Sequence, residues 1–172
     1  MVADGVAAMP PVLRDLVASE YALAVLFLVF VLEGAMLMYF MPSELVVPGA
    51  LALLGSSWGR VAAVLAVAVC GATAGQYALF RLARDAGRDR LLASRWFRVS
   101  DERLARFERW FDRWGAVVVP VSNALPFTRG MLTVPAGLAD LDGRRFAGLS
   151  ALGTLAFEAA LAGLYLLADA HL

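Results

Sequence analysis

Twenty consecutive residues, Val61 to Phe80, carry no charge. That is the length an α-helix needs to cross ~30 Å of hydrocarbon, and it leaves few folds open. A second run, Phe146 to Ala168, is also long enough to span and holds Glu158 as its one charge. Composition points the same way. Of the 172 residues, 61% are hydrophobic and 17% charged, against about 45–50% and 25% in soluble domains. With a mean hydropathy of +0.72, the chain would expose large apolar patches in water. It reads as a single-domain, all-α integral membrane protein.

Two further apolar blocks are interrupted. Ala22 to Met41 is apolar except for Glu33, and Leu45 to Leu54 continues after Pro42, Ser43 and Glu44. Gly115 to Ala139 is apolar around Arg129 and carries Pro120, Pro126 and Pro135. The two blocks resemble each other. One reads Pro42-Ser-Glu44 and then Pro48-Gly-Ala-Leu-Ala52; the other reads Pro126-Phe-Thr-Arg129 and then Pro135-Ala-Gly-Leu-Ala139. Proline removes a helical hydrogen bond and bends its segment, so Pro42, Pro48, Pro126 and Pro135 are the expected hairpin breaks. Arms of roughly ten residues reach ~15 Å, about half the bilayer. The spacing predicts two re-entrant hairpins; two ordinary helices kinked at proline are the alternative. Paired broken segments in corresponding halves are also the best sequence pointer to a transport site.

The predicted order is a lead-in over 1–20, hairpin 21–54, a transmembrane helix over 59–83 and a polar segment over 84–114. Hairpin 115–139 and a transmembrane helix over 146–168 complete it. Residues 1–20 lack a basic stretch ahead of an apolar core, so they read as a retained lead-in rather than a cleaved signal. The stretch Arg81 to Arg113 holds ten of the fifteen arginines. The positive-inside rule places segment 81–113 in the cytoplasm, with Arg144 and Arg145 on the same side. The second hairpin then opens to the cytoplasm and the first outward, which makes the halves an inverted repeat. Within the polar segment, Leu104, Phe107, Trp110, Phe111 and Trp114 recur at helical spacing. Residues 101–114 therefore form an amphipathic helix at the membrane surface, with Ser100 as its expected N-cap.

Charge and residue types exclude several functions. Fifteen arginines balance fifteen acids, so no basic footprint for nucleic acid exists. Cys70 and His171 stand alone, which rules out a His/Cys metal site. No lysine is present, so P-loop and Schiff-base chemistry are absent. The chain is not expected to be an enzyme, and no cofactor is implied.

The costly residues are the informative ones. A charge at midbilayer costs at least ~2.5–3.5 kcal/mol, so it faces the interior and has a partner. Glu33, Glu44, Arg129 and Glu158 are the candidates. Glu44 and Arg129 hold equivalent places in the two hairpins, so opposed hairpins bring them together, with Glu33 on the same inner face. Glu158 joins this cluster or neighbours an internal water. Arginine binds phosphate bidentately, and a buried carboxylate can exchange a proton. The alternative is a structural ion pair that docks the hairpins. Gln76 and Asn123 are intramembrane polar groups suited to bonds between helices.

Across residues 22–168 the chain resembles the DedA family of SNARE-associated, VTT-domain membrane proteins. Four stretches carry the resemblance: Phe30-Val-Leu-Glu33 leading to Pro42-Ser-Glu44; Phe80-Arg-Leu-Ala-Arg84-Asp-Ala-Gly87; Trp110-Phe111-Asp-Arg-Trp-Gly115; and Asn123-Ala-Leu-Pro126-Phe-Thr-Arg129 with Pro135-Ala-Gly137. The resemblance implies oppositely oriented re-entrant hairpins and movement of lipids across the cell membrane. The family's functional acids fall on Glu33 and Glu44 and its second arginine on Arg129, while its first arginine falls on Asn123.

The expected function is a membrane lipid transporter, a flippase or scramblase for polyprenyl phosphate or phospholipid headgroups, with or without proton coupling. Membrane lipids and protons are the expected partners, and an oligomer is left open. A small-ion or proton exchanger and a non-transport structural membrane protein are the other readings.

Overall fold

The computed structural model describes residues 21–38, 43–93, 101–126, 128–139 and 141–171. The lead-in 1–20, Pro42 and Ser100 lie outside the described residues. Among those described, every regular element is helical. Helix α1 is Ala22–Gly34; a 3-10 turn at Ser43–Leu45 leads into α2, Val46–Leu54; α3 is Trp58–Ala93. Helix α4 is Asp101–Trp114; a 3-10 turn at Gly115–Val117 leads into α5, Val118–Asn123; α6 is Thr133–Leu138 and α7 is Gly143–Asp169.

Only two helices are long and apolar enough to cross a membrane among the described residues: Trp58–Arg88 within α3, at 31 residues, and α7 at 27. At ~1.5 Å per residue they measure about 46 and 40 Å. Leu152, Leu155, Leu164 and Leu167 lie exposed along α7, as a lipid-facing surface requires. Helix α3 is broken at Gly87, whose φ is 74° and ψ 168°. Helix α7 begins three residues before the first apolar residue of its run because Asp142 caps it. The Asp142 carboxylate accepts from the backbone N–H of Arg144 and Arg145 at 3.0 Å, satisfying donors that a helix start leaves free.

The other helices are short. Helix α1 has 13 residues, α2 nine, α5 six and α6 six. Their lengths of about 20, 14, 9 and 9 Å all fall short of ~30 Å. Helix α1 ends where Met36 takes a left-handed conformation, φ 58°. The Met36 N–H donates to Glu33 O and the Leu37 N–H to Leu32 O, which closes a Schellman turn on a residue other than glycine.

Pro48, Pro120 and Pro135 each stand third in their helices. In a first turn the missing N–H removes no intrahelical bond. Pro48 and Pro135 therefore open α2 and α6, and the chain breaks ahead of them: after Gly34 in one block and over 124–132 in the other. Pro126 does lie in that second break.

Helix α3 is the centre of the packing, touching α1, α2, α6 and α7, while α7 also packs on α5 and α2. Helix α1 thus rests on α3 and α5 on α7, while α6 packs on α3 and α2 reaches both α3 and α7. Gly71 and Gly75 make the α1–α3 contact close: a Cβ at Gly71 would stand 2.7 Å from Phe27 O, and one at Gly75 would strike Val31 O. This small-x-x-x-small spacing lets two backbones touch where no hydrophobic drive holds helices together.

Phe30, Leu26, Val47, Leu51 and Val64 fill one buried core between α1, α2 and α3. Phe80 and Phe146 stack at 4.4 Å, 13° from parallel, in a second core under α5 and α6. Helix α4 buries Leu104 and leaves Trp110 and Trp114 exposed. Its tie to α3 is an ion pair between Arg88 and Glu108 at 2.5 Å.

Candidate functional site

The break between α5 and α6 is stitched closed by its own side chains. Ser122 Oγ donates to Thr128 O at 2.5 Å, and Thr128 Oγ1 donates back to Ser122 O at 3.0 Å. The Gly130 N–H donates to Asn123 Oδ1 at 3.0 Å. Gly130 itself sits at φ 71°, a conformation glycine adopts without a Cβ penalty. These bonds fix the residue between Thr128 and Gly130, and that residue is Arg129.

Asn123 also ties the loop to both long helices. Its Nδ2 donates to Gln76 Oε1 of α3 at 2.9 Å and to Ser150 Oγ of α7 at 3.1 Å. Ser150 donates to the same Gln76 oxygen. Asn123, Gln76 and Ser150 are all buried. Both N–H donors and the oxygen of the Asn123 carboxamide are thus engaged. Pairing among all members is what makes a buried polar network stabilising.

The Arg129 side chain is 6% exposed and points between two carboxylates. Its Nη1 lies 2.5 Å from Glu158 Oε1, and Glu158 is fully buried. Its Nε lies 3.3 Å from Glu33 Oε1, and its Nη2 donates to Glu33 Oε2 at 3.4 Å. The Phe157 ring covers the guanidinium, with Cζ 4.6 Å from the ring centroid. That is cation–π range.

The cluster is held by charge more than by hydrogen bonds. The Nε and Nη1 of Arg129 and both oxygens of Glu158 are buried without a hydrogen-bonding partner. Their ion-pair contacts are close but not aligned for N–H donation. Nη1 and Glu158 Oε1 are nonetheless ion-pair partners, and Nε faces Glu33 Oε1, so the charges are matched in one buried place. Such groups are costly unless something pairs with them.

Glu33, Arg129 and Glu158 come together. Glu44 does not take the expected place against Arg129: it lies in the 3-10 turn before α2, half-buried, near enough for its charge to act on Glu158. The direct contacts of Arg129 go to Glu33 and Glu158 instead, because α1 ends beside the second break. Asn123 stands next to the cluster and is occupied by its own bonds.

Phe157 and Ser150 were not singled out from the sequence. A signal for Ser150 exists: Ser150, Thr154 and Glu158 recur every four residues in an apolar span, and all three are fully buried. That spacing marks one inward stripe. Phe157 had none, since one aromatic among many apolar residues announces nothing.

An apolar cavity of about 520 Å³ adjoins the loop, its walls including Trp110, Trp114, Val121, Leu125, Thr128 and Leu132. Thr128, the residue before Arg129, is shared between the cavity wall and the loop.

Among known proteins, the VTT domain family matches residues 41–165. Undecaprenyl phosphate transporter A of Staphylococcus aureus is 23% identical over 141 residues, which cover 79% of this chain and 68% of that protein. No solved structure matches at a significant level.

Proposed function

The chain belongs to the DedA family of VTT-domain membrane proteins, and from that premise we propose that it is a transporter which moves lipid phosphate headgroups across the cell membrane. The observation that carries this reading is Arg129, buried on a loop between two helices too short to span, with the carboxylates of Glu33 and Glu158 against its guanidinium. A guanidinium so placed suits a phosphate, which it binds through paired N–H groups. Undecaprenyl phosphate transporter A, the relative named above, supports a lipid phosphate as cargo.

In this reading the blocks 21–54 and 115–139 are re-entrant hairpins of opposite orientation, 59–83 and 146–168 are the spans, and segment 81–113 is cytoplasmic. The headgroup enters between the hairpins while its chains stay in the bilayer, one beside the apolar cavity at Thr128. Glu33 and Glu158 hold Arg129 when the site is empty, and the arriving phosphate takes their place.

A second reading is proton or small-ion exchange, favoured by Glu158, a carboxylate fully buried beside Arg129. Fluorescent-lipid translocation in proteoliposomes separates the two. Wild type and Arg129→Ala are compared with and without a pH gradient. Translocation lost in Arg129→Ala is the expected result; wild-type rates in that variant overturn the mechanism. Proton flux through folded protein without lipid movement favours exchange.

A further inference from the structure

We infer that helix α4 and the loop over 124–132 form a lateral binding site for an anionic phospholipid, with one acyl chain in the apolar cavity and the phosphate on the arginines of α4. This lipid is a resident of the groove, separate from any lipid that is moved. Its binding requires α4 at the membrane surface and no transport. The cavity of about 520 Å³ is walled by Trp110 and Trp114 of α4, Val121 of α5, and Leu125, Thr128 and Leu132 beyond. That is within the range of small-ligand sites. Ser122 and Thr128 also reach it, yet each hydroxyl donates to the other residue's carbonyl oxygen. With those hydrogens engaged in the loop, the cavity offers an occupant apolar surface, which suits a hydrocarbon chain.

The cavity opens outward. Trp114, Val121 and Leu125 are all exposed, so a chain enters from the side without crossing the protein. Tryptophan at such a mouth suits headgroup level, with its apolar ring toward hydrocarbon. Thr128 precedes Arg129 and Ser122 precedes Asn123, so a seated chain packs against the loop that carries Arg129.

Charge on α4 is divided between its edges. Arg106, Trp110 and Arg113 follow one another at steps of four and three residues, and so share one stripe. Glu108 and Asp112 form the other edge, where Glu108 pairs with Arg88. Glu102 falls on the arginine side but eight residues before Trp110, ~12 Å along the axis. Arg106, Arg109 and Arg113 are exposed, and among the described residues none of the three forms an ion pair. The Cζ of Arg113 lies 5.5 Å from the centroid of the Trp114 ring. That contact holds the guanidinium at the mouth of the cavity and leaves its N–H groups to a phosphate. An apolar slot with cations along its rim is complementary to an anionic headgroup joined to an acyl chain.

The experiment uses the full chain carrying Trp58→Phe and Trp96→Phe, so that Trp110 and Trp114 are the remaining tryptophans. It is placed in phosphatidylcholine vesicles with a small fraction of lipid brominated on its acyl chains, either phosphatidylglycerol or phosphatidylcholine. Bromine quenches tryptophan fluorescence on contact. Brominated phosphatidylglycerol should bind with an apparent affinity at least about fivefold above that of brominated phosphatidylcholine, the factor that one arginine near the surface supplies. Added salt should shrink the preference. Arg106→Gln with Arg113→Gln should bring it near parity, and Val121→Phe, which narrows the cavity, should lower quenching by both lipids. Equal quenching by the two lipids overturns the inference, as does a preference that survives the loss of both arginines. Neither result touches the transport reading. If a variant fails to fold, the same comparison on the wild-type chain, with all four tryptophans, decides the matter.

Discussion

The carboxamide oxygen of Asn123 accepts the backbone N–H of Gly130 at 3.0 Å, one residue past Arg129. The same side chain reaches Gln76 and Ser150 on the two long helices. Asn123→Leu removes all three bonds and leaves the Gly130 N–H without its acceptor, while Ser150 and Gln76 keep their bond to each other. Interhelical hydrogen bonds in membranes average ~0.6 kcal/mol, and a buried group left unpaired adds about 1–3 kcal/mol. The expected loss is about 2–4 kcal/mol, read as a lower unfolding midpoint in detergent. Lipid movement should slow as well, because Arg129 is no longer held. An unchanged midpoint argues against the joint.

Arg129 and Glu158 should behave as a unit. Arg129→Met leaves Glu158 buried without its cation, a loss of about 3–5 kcal/mol. Glu158→Leu leaves Arg129 paired with Glu33 and should cost less, and the double variant should recover part of the Arg129→Met loss while transporting nothing. A double-mutant cycle on thermal unfolding measures the coupling; simple additivity would mean that the 2.5 Å contact carries little.

Glycines in this fold divide by what surrounds them. Gly75→Leu should prevent α1 from seating on α3, because a side chain there meets Val31 O and Ala35 N. Little monodisperse protein is expected from that variant. Gly148 and Gly163 have open space around them, so Ala at either should be neutral or stabilise α7 by about 0.5–1 kcal/mol. Size-exclusion profiles and unfolding midpoints distinguish the two groups.

Met36 pays for a left-handed backbone that glycine would adopt freely. Met36→Gly should raise stability by roughly 1 kcal/mol, and Gly130→Ala should lower it by a similar amount. A fall in the midpoint of Met36→Gly would mean that the Met36 side chain, whose Cγ lies 3.8 Å from a Cβ built on Gly130, matters more than the backbone.

The inverted, re-entrant arrangement has a direct test in single-cysteine variants made on a Cys70→Ala background. Cysteines at Ser57 and His171 are expected to react with impermeant maleimide in intact cells. Those at Arg88 and Arg145 should react only after permeabilisation. Labelling of Ser57 and Arg88 from the same side would exclude the topology.

The long helices were plain in the sequence because uninterrupted apolar length is a one-dimensional property. The doubling of the broken blocks was legible too, since proline and lone charges stand out in apolar runs. Where the breaks fall was not. Pro48 and Pro135 look like interruptions, yet each opens a helix, while the turn at Met36 bears no glycine or proline to announce it. The start of α7 at Gly143 depended on reading Asp142 as a cap. Within the cluster, Arg129, Glu33 and Glu158 stood out by the expense of charge in an apolar span. Which acid Arg129 chooses depends on the crossing of α1, α7 and the second break, and spacing along one chain does not encode that choice. Ser150, Thr154 and Glu158 were within reach as a four-residue stripe.

The seating of the short helices has a mechanical consequence. Helix α5 is carried by α7 and α6 by α3, so the loop over 124–132 bridges two different supports. Any spreading of α3 from α7 draws the ends of that loop apart and pulls Arg129 with it. The loop is therefore seated on both long helices rather than on one. A covalent tie between α3 and α7 should therefore stop translocation while leaving the empty cluster intact, whereas a tie between α1 and α3, which move together in this scheme, should not.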